Sequence, residues 1–143
     1  MEQPTLEIVR GLPGSGKTTE AKKIMAEKNI TDHYEADMFI TVDGEYKFSP
    51  GTIHYSHNWC QSMVAKALMD GKSVVVSNTF TQQWQITPYL IIAKDFDAKV
   101  ILTTCKGEYG SIHGVPASTI ERMKSGWEDD VTVDILEIET DSE

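Results

Sequence analysis

The sequence predicts an α/β fold, with one parallel sheet of about four or five strands and helices on both faces. Three observations carry that reading. Strand-like and helix-like segments alternate along the chain, the pattern of parallel strands joined by crossover helices. Two strand-like runs, Ser73-Val74-Val75-Val76-Ser77 and Lys99-Val100-Ile101-Leu102-Thr103, have the near-continuous apolar character of strands covered on both sides. A third, Leu6-Glu7-Ile8-Val9-Arg10, runs straight into a glycine-rich turn followed by a helix.

The helix after that turn spans Lys17 to about Lys28, with Ala21, Ile24 and Met25 on one face. His33 to Phe39 is a second short strand-like segment. Asp43-Gly44 marks a tight turn flanked by Tyr46 and Phe48. A long helix follows over about Ile53 to Met69, striped by Trp59, Met63, Val64, Ala67 and Leu68, and Asp70-Gly71 stops it. The next helix runs from Trp84 to about Phe96, with Thr81 or Thr87 as its cap and Pro88 in its first turn. Pro116 opens a last helix with Ile120, Met123 and Trp127 on one face.

One domain over residues 1–128 accounts for these elements, and residues 129–143 form an acidic strand or tail. That tail holds Asp129, Asp130, Asp134, Glu137, Glu139, Asp141 and Glu143 and no Lys or Arg. It reads as a solvated end, as a final strand over Val131 to Ile138, or as a surface for a protein partner. The chain carries 13 basic and 22 acidic residues, a formal net charge of −9, which opposes broad binding to phosphate backbones. No apolar run is long enough to span a membrane. Cys60 and Cys105 form no disulfide framework. Those features, with an N-terminus lacking a signal-peptide pattern, lead to the expectation of a cytoplasmic protein.

The decisive segment is Gly11-Leu12-Pro13-Gly14-Ser15-Gly16-Lys17-Thr18, which fits G-x-x-x-x-G-K-[ST] between a strand and a helix. Glycines at these places let successive backbone amides turn toward a phosphate, and the helix N-terminus adds its own donors and dipole. Lys17 is suited to the β and γ phosphates, and the Thr18 hydroxyl to Mg²⁺. The expectation is a P-loop NTPase fold binding ATP and Mg²⁺. Gly11, Pro13, Gly14, Ser15, Gly16, Lys17, Thr18 and Thr19 are the candidate nucleotide-binding residues, with Thr18 as the metal ligand.

The loop also resembles that of the polynucleotide-kinase-like P-loop kinases, a group that includes the kinase domain of phage polynucleotide kinase and small phage ATP-binding proteins. Weaker matches follow in order: Ala36-Asp37-Met38-Phe39, Gly44-Glu45-Tyr46-Lys47-Phe48, His57-Asn58-Trp59-Cys60, Ser77-Asn78-Thr79-Phe80, Trp84 through Pro88-Tyr89, and His113-Gly114-Val115-Pro116. Together they span residues 6 to about 128. The resemblance implies transfer of the ATP γ-phosphate to a hydroxyl, with a polynucleotide 5′-hydroxyl as first acceptor. The acidic composition favours a nucleoside, a nucleotide or another small molecule instead.

By the same resemblance Asp37 is the catalytic base, and His57, Asn78 and Thr79 join Asp37 at the acceptor. Relatives place a Mg²⁺-organising aspartate at the positions of Ser77 or Asn78, and this chain has neither. They also carry a lid arginine shortly before the last helix, near Gly110, where this chain has none. Arg122 is the substitute expected to act with Lys17 on transferring charge, with Lys106 and Arg10 as further phosphate contacts. These two departures support a reading from another class, a catalytically weak ATP-binding switch or inhibitor. His54, His57 and Cys60 supply too few ligands for zinc. Phe80, Trp84, Tyr46 and Phe48 are either base-stacking or ordinary packing residues, and Trp59 and Trp127 read as core.

Overall fold

The structure is a computed structural model describing residues 3–36, 41–42, 45–46, 53–107 and 116–134. Its strands are β1 (Thr5–Gly11), β2 (Asp32–Tyr34), β3 (Thr41–Val42), β4 (Glu45–Tyr46), β5 (Val74–Asn78) and β6 (Lys99–Cys105). Its helices are α1 (Lys17–Lys28), α2 (Ile53–Met69), α3 (Gln83–Asp95) and α4 (Ala117–Ser125). Four strands form a parallel sheet in the order β2-β5-β1-β6, while β3 and β4 pair separately as an antiparallel ribbon. The expected α/β architecture is therefore present.

Strand alternation sorts the sheet's side chains into two cores. Leu6, Ile8, Val74 and Val76 pack with Cys60, Val64, Ala67 and Leu68 of α2 and with Ile86, Leu90 and Ala93 of α3. Val9 and Val75, one residue out of phase, pack with Ala21, Ile24 and Ile30 on the α1 side. Glu7 shares that second parity and is 1 % exposed, and its carboxylate accepts from Lys28 Nζ at 2.6 Å. A lysine in the last turn of α1 thus compensates a carboxylate in the centre of the sheet.

The helix ends follow their local chemistry. Gly71 takes φ +78°, and the Lys72 amide donates back to the Ala67 carbonyl at 2.9 Å, the stop foreseen at Asp70-Gly71. Neither threonine caps α3. Its N-cap is Gln82 in extended conformation, and Gln85 Oε1 reaches back to accept from the Thr81 amide at 2.9 Å. Pro88 consequently lies inside α3, not in its first turn. A side chain three residues into the helix has replaced the expected threonine cap, much as in the reciprocal half of a capping box.

The final-strand alternative is not formed in its described part, since residues 131–134 are irregular. They are nevertheless attached to the domain. The Thr132 amide donates to Gln83 Oε1 at 2.7 Å, and Gln83 Nε2 donates to the Thr132 carbonyl at 3.1 Å. One glutamine side chain thus satisfies the backbone as a neighbouring strand would, while Val131 and Val133 pack on the larger core. Residues 135–138, the Asp43-Gly44 turn and Phe48 lie outside the described residues. Among those described, no helix is long and apolar enough to cross a membrane.

Candidate active site

β1 delivers its last residue, Gly11, into a crowded place. A Cβ there would lie 2.8 Å from the Cys105 carbonyl oxygen and collide with the Ser15 side chain. Gly14 and Gly16 adopt φ +80° and +95°, which side-chain-bearing residues rarely take. The turn is closed by Ser15 N–H donating to the Leu12 carbonyl at 3.1 Å, and Gly107 N–H donates to the Ser15 carbonyl at 3.2 Å. Gly16 caps α1 without any side-chain acceptor, so the first-turn amides are left for an anion. Lys17 Nζ donates to the Leu12 carbonyl at 3.0 Å, which holds the ammonium against the loop. The Ser15 hydroxyl is buried with no hydrogen-bond partner among the described residues.

Sheet order gives this loop two different flanks, because β6 lies on one side of β1, with β5 and then β2 on the other. On the β6 side lies a cavity of about 470 Å³. Leu12 to Ser15, Cys105 to Gly107, Ile120, Lys124, Trp127 and Asp129 line it. The Trp127 ring carries the Arg10 guanidinium 3.9 Å from its centroid, and its Nε1–H donates to Asp129 Oδ1 at 2.8 Å. This side is largely apolar with an aromatic wall, suited to a nucleoside.

On the β5 and β2 side, carboxylate and hydroxyl oxygens converge. Thr18 Oγ1 donates to Glu35 Oε1 at 3.4 Å, and Ser77 Oγ donates to the same oxygen at 2.9 Å. His33 Nε2 is 2.7 Å from Ser77 Oγ. A carboxylate can only accept, so Ser77 spends its proton on Glu35 and accepts from His33 Nε2–H. Burial pushes the His33 imidazole below its ordinary value, against the opposing effect of Glu35, and so favours the neutral ring. Asn78 Oδ1 accepts from the Ala36 amide at 2.8 Å, and Asn78 Nδ2 is 3.8 Å from Cys60 Sγ.

The expected residues fall into distinct groups. Gly11, Pro13, Gly14, Ser15, Gly16, Lys17 and Thr18 build the loop, while Thr19 is exposed on α1. Asp37 lies outside the described residues, one position beyond the Ala36 amide that Asn78 holds. Thr79 is half-buried, and its carbonyl accepts from Gly11 N–H at 3.3 Å. His57 is exposed on α2 while Cys60 is buried in the core, and no group of three metal-ligating side chains occurs among the described residues. Arg122 is exposed on α4, and the cations lining the cavity are Lys106 and Lys124. The lid near Gly110, the His113-Gly114 segment and the His54 side chain are outside the described residues.

Two assignments change, and an alternative left open for Phe80 is resolved toward packing. Arg10 is not a phosphate contact: it is 1 % exposed, and burial pushes its guanidinium below its ordinary value. Its Nε donates to the Phe80 carbonyl at 2.9 Å and its Nη2 to the Glu128 carbonyl at 2.8 Å. Trp127 lies beyond α4 and lines the cavity, so it is not simply a core residue. Phe80 is core, with its ring edge-on to Tyr89 at 5.4 Å, whereas Trp84 is 68 % exposed. Glu35 escaped sequence reasoning altogether. Its signal was an extra carboxylate two residues before Asp37, at the end of a strand adjoining β5.

Thr18 and Glu35 supply hard oxygens, the donor type Mg²⁺ selects, and the orphaned Ser15 hydroxyl and uncapped α1 suit a phosphate chain. ATP and Mg²⁺ therefore fit the residues present. Cys105 offers a direct check. Burial raises its thiol above the ordinary value and Cys60 is deeper still, so iodoacetamide should label Cys105 slowly and Cys60 negligibly in the folded protein. Saturating ATP should protect Cys105, as followed by mass spectrometry.

Comparison with known proteins agrees with this geometry. The sequence profile of the AAA domain matches residues 6–109. Human NEDD4-binding protein 2 is 26% identical over 141 residues, covering 92% of this chain but only 8% of its own length. A chain of the Pnkp1/Rnl/Hen1 RNA repair complex superimposes with a TM-score of 0.67 at 16% identity, over 88% of this chain and 44% of that one. The Mycobacterium tuberculosis APS kinase CysC, solved with AMPPNP and APS, gives 0.56 at 16% identity, over 85% and 69% of the two chains. The present chain thus spans a small part of the human relative and under half of the repair-complex chain. With its profile match, parallel sheet and phosphate loop, the chain belongs to the AAA domain family, a P-loop kinase-like group.

Proposed function

We propose that this protein binds ATP with Mg²⁺ and transfers the γ-phosphate to a hydroxyl group, with a polynucleotide or oligonucleotide 5′-hydroxyl as first acceptor. The observation that carries the reading is the loop from Gly11 to Thr18, open at an uncapped helix and flanked by a nucleoside-sized cavity and a carboxylate cluster. Base and ribose belong on the β6 side, with the indole of Trp127 as a wall. The phosphates cross the α1 N-terminus toward β2, where the acceptor waits. Solved kinases sharing the fold, one of them holding AMPPNP, support ATP as the donor.

In this mechanism Lys17 leaves the Leu12 carbonyl for the phosphates, and the loop amides hold the oxygens in place. Mg²⁺, when bound, would offset the charge that develops on the phosphate oxygens. Thr18 would hold the metal. Asn78 fixes the backbone at Ala36, and by the resemblance Asp37 accepts the proton of the attacking hydroxyl. Thr79 and His57 belong to the acceptor side, and Arg122 is the helix cation that acts on the transferring group. The acceptor class rests on the resemblance of the Asp37 and Asn78 segments to polynucleotide kinases.

Labelled ATP offered with a 5′-hydroxyl oligonucleotide, a nucleoside and a nucleoside monophosphate tests the reading. Label should pass to the oligonucleotide, and passage to a smaller acceptor would reassign the substrate. Asp37→Asn should lower transfer by about 10²- to 10⁴-fold with ATP affinity unchanged. The switch or inhibitor reading draws on a specific observation: lysines, not an arginine, line the cavity beside the loop. ATP binding without transfer to any acceptor would favour it.

A further inference from the structure

P-loop enzymes generally hold their metal with the loop Ser/Thr and an aspartate at the tip of a neighbouring strand. In this chain the tip residues of β5 are Ser77 and Asn78, and both are otherwise engaged. Asn78 Oδ1 is occupied by the Ala36 amide, and Ser77 donates its proton to Glu35. The carboxylate that meets Thr18 comes instead from the residue just past β2.

We infer that Glu35 has taken over the metal-organising role, a positioning residue that draws Mg²⁺ or its bound water to Thr18 from the neighbouring strand. The inference rests on the nucleotide-binding reading above. Its geometry is specific. One carboxylate oxygen, Oε1, accepts from both Thr18 and Ser77, and the side chain is only 18% exposed. Accepting the Thr18 proton turns that hydroxyl's lone pairs outward, toward where the metal must sit. Accepting from Ser77, itself held by His33, fixes the carboxylate's rotamer before any ligand arrives. The second oxygen, Oε2, would face a metal-bound water, the kind of contact Mg²⁺ favours because it dehydrates reluctantly. The strand-tip residue and the organising carboxylate have thus exchanged places: Asn78 secures the loop on which Glu35 is carried.

Calorimetric titration with ADP, in EDTA and in excess Mg²⁺, separates this role from a structural one. Wild type and Glu35→Gln should bind ADP alike in EDTA. Added Mg²⁺ should tighten the wild type and leave Glu35→Gln about 10- to 100-fold weaker than wild type. Spin resonance of Mn²⁺ with ADP should show a bound-metal signal that Glu35→Gln loses and that Glu35→Gln/Asn78→Asp regains, because the double variant returns a carboxylate to the tip of β5. Equal metal enhancement in wild type and Glu35→Gln would overturn the inference and leave the nucleotide reading intact. A difference between the two already present in EDTA would equally overturn it, by assigning Glu35 to the fold of the site. Absence of ADP binding by the wild type in both conditions would overturn the nucleotide reading and this inference with it.

Discussion

Lys17→Ala should reduce phosphoryl transfer by roughly 10²- to 10³-fold and weaken ATP binding, with little change in melting temperature. The ammonium is held 3.0 Å from the Leu12 carbonyl, inside the curve of the loop. The lysines lining the cavity, Lys106 and Lys124, lie on its β6 side, away from Thr18 and Glu35. Neither of these two lysines is placed to replace Lys17 at the outer phosphates. Arginine at this position restores charge but not the compact shape that fits within the loop, so Lys17→Arg should recover little. Steady-state transfer and calorimetry on both variants check this, and wild-type rates in Lys17→Ala would refute the phosphate role.

Arg10→Ala should be the most damaging single change to stability, at about 3–5 kcal/mol in urea denaturation. One guanidinium ties together three distant stretches: β1 itself, the Phe80 and Thr81 carbonyls after β5, and the Glu128 carbonyl near the C-terminal segment. Removing it strands the buried Phe80 carbonyl, at about 1–3 kcal/mol, takes the guanidinium from the part-buried Glu128 carbonyl and removes the cation over Trp127, while the Thr81 carbonyl keeps the Glu128 amide at 2.8 Å. Phe80 is held at φ +46°, a backbone state a phenylalanine seldom adopts, and its carbonyl is the one Arg10 Nε meets. Arg10→Lys keeps the charge but cannot reach all three acceptors from one nitrogen, so it should lose about half as much. Because a domain has only ~5–15 kcal/mol in hand, Arg10→Ala should be partly unfolded at 37 °C. A change below 1 kcal/mol would show that the clamp is dispensable.

The frame was legible because it is written in short-range pattern. Alternation in β1, the valines of β5 and the stripe of α2 each need only a few neighbouring residues to read. The loop was legible for the same reason, as eight consecutive residues with fixed chemistry. What escaped depends on partners far apart in the chain. Arg10 looked like a cation at the end of a strand because its acceptors lie 70 to 118 positions away. Glu35 reads as one more acid until the sheet order puts β2 next to β5. The cap of α3 misled because threonine is the commoner capping residue, yet Gln85 satisfied the Thr81 amide from inside the helix. Trp127 fits a helical stripe only if the helix continues, and α4 stops at Ser125.

The central strand of the sheet also governs how the molecule comes into being. β1 precedes both strands beside it, which begin at Val74 and Lys99. A nascent chain must carry Leu6, Ile8 and Val9 without their sheet neighbours until Val74 and the residues after it have been made. Parallel pairing over such separations closes large loops before any ladder rewards them, which sets folding in the slow class, about milliseconds to seconds. The arrangement that places the phosphate loop in the middle of the sheet thus leaves its strand unpaired, and open to aggregation, until β5 and β6 have been made.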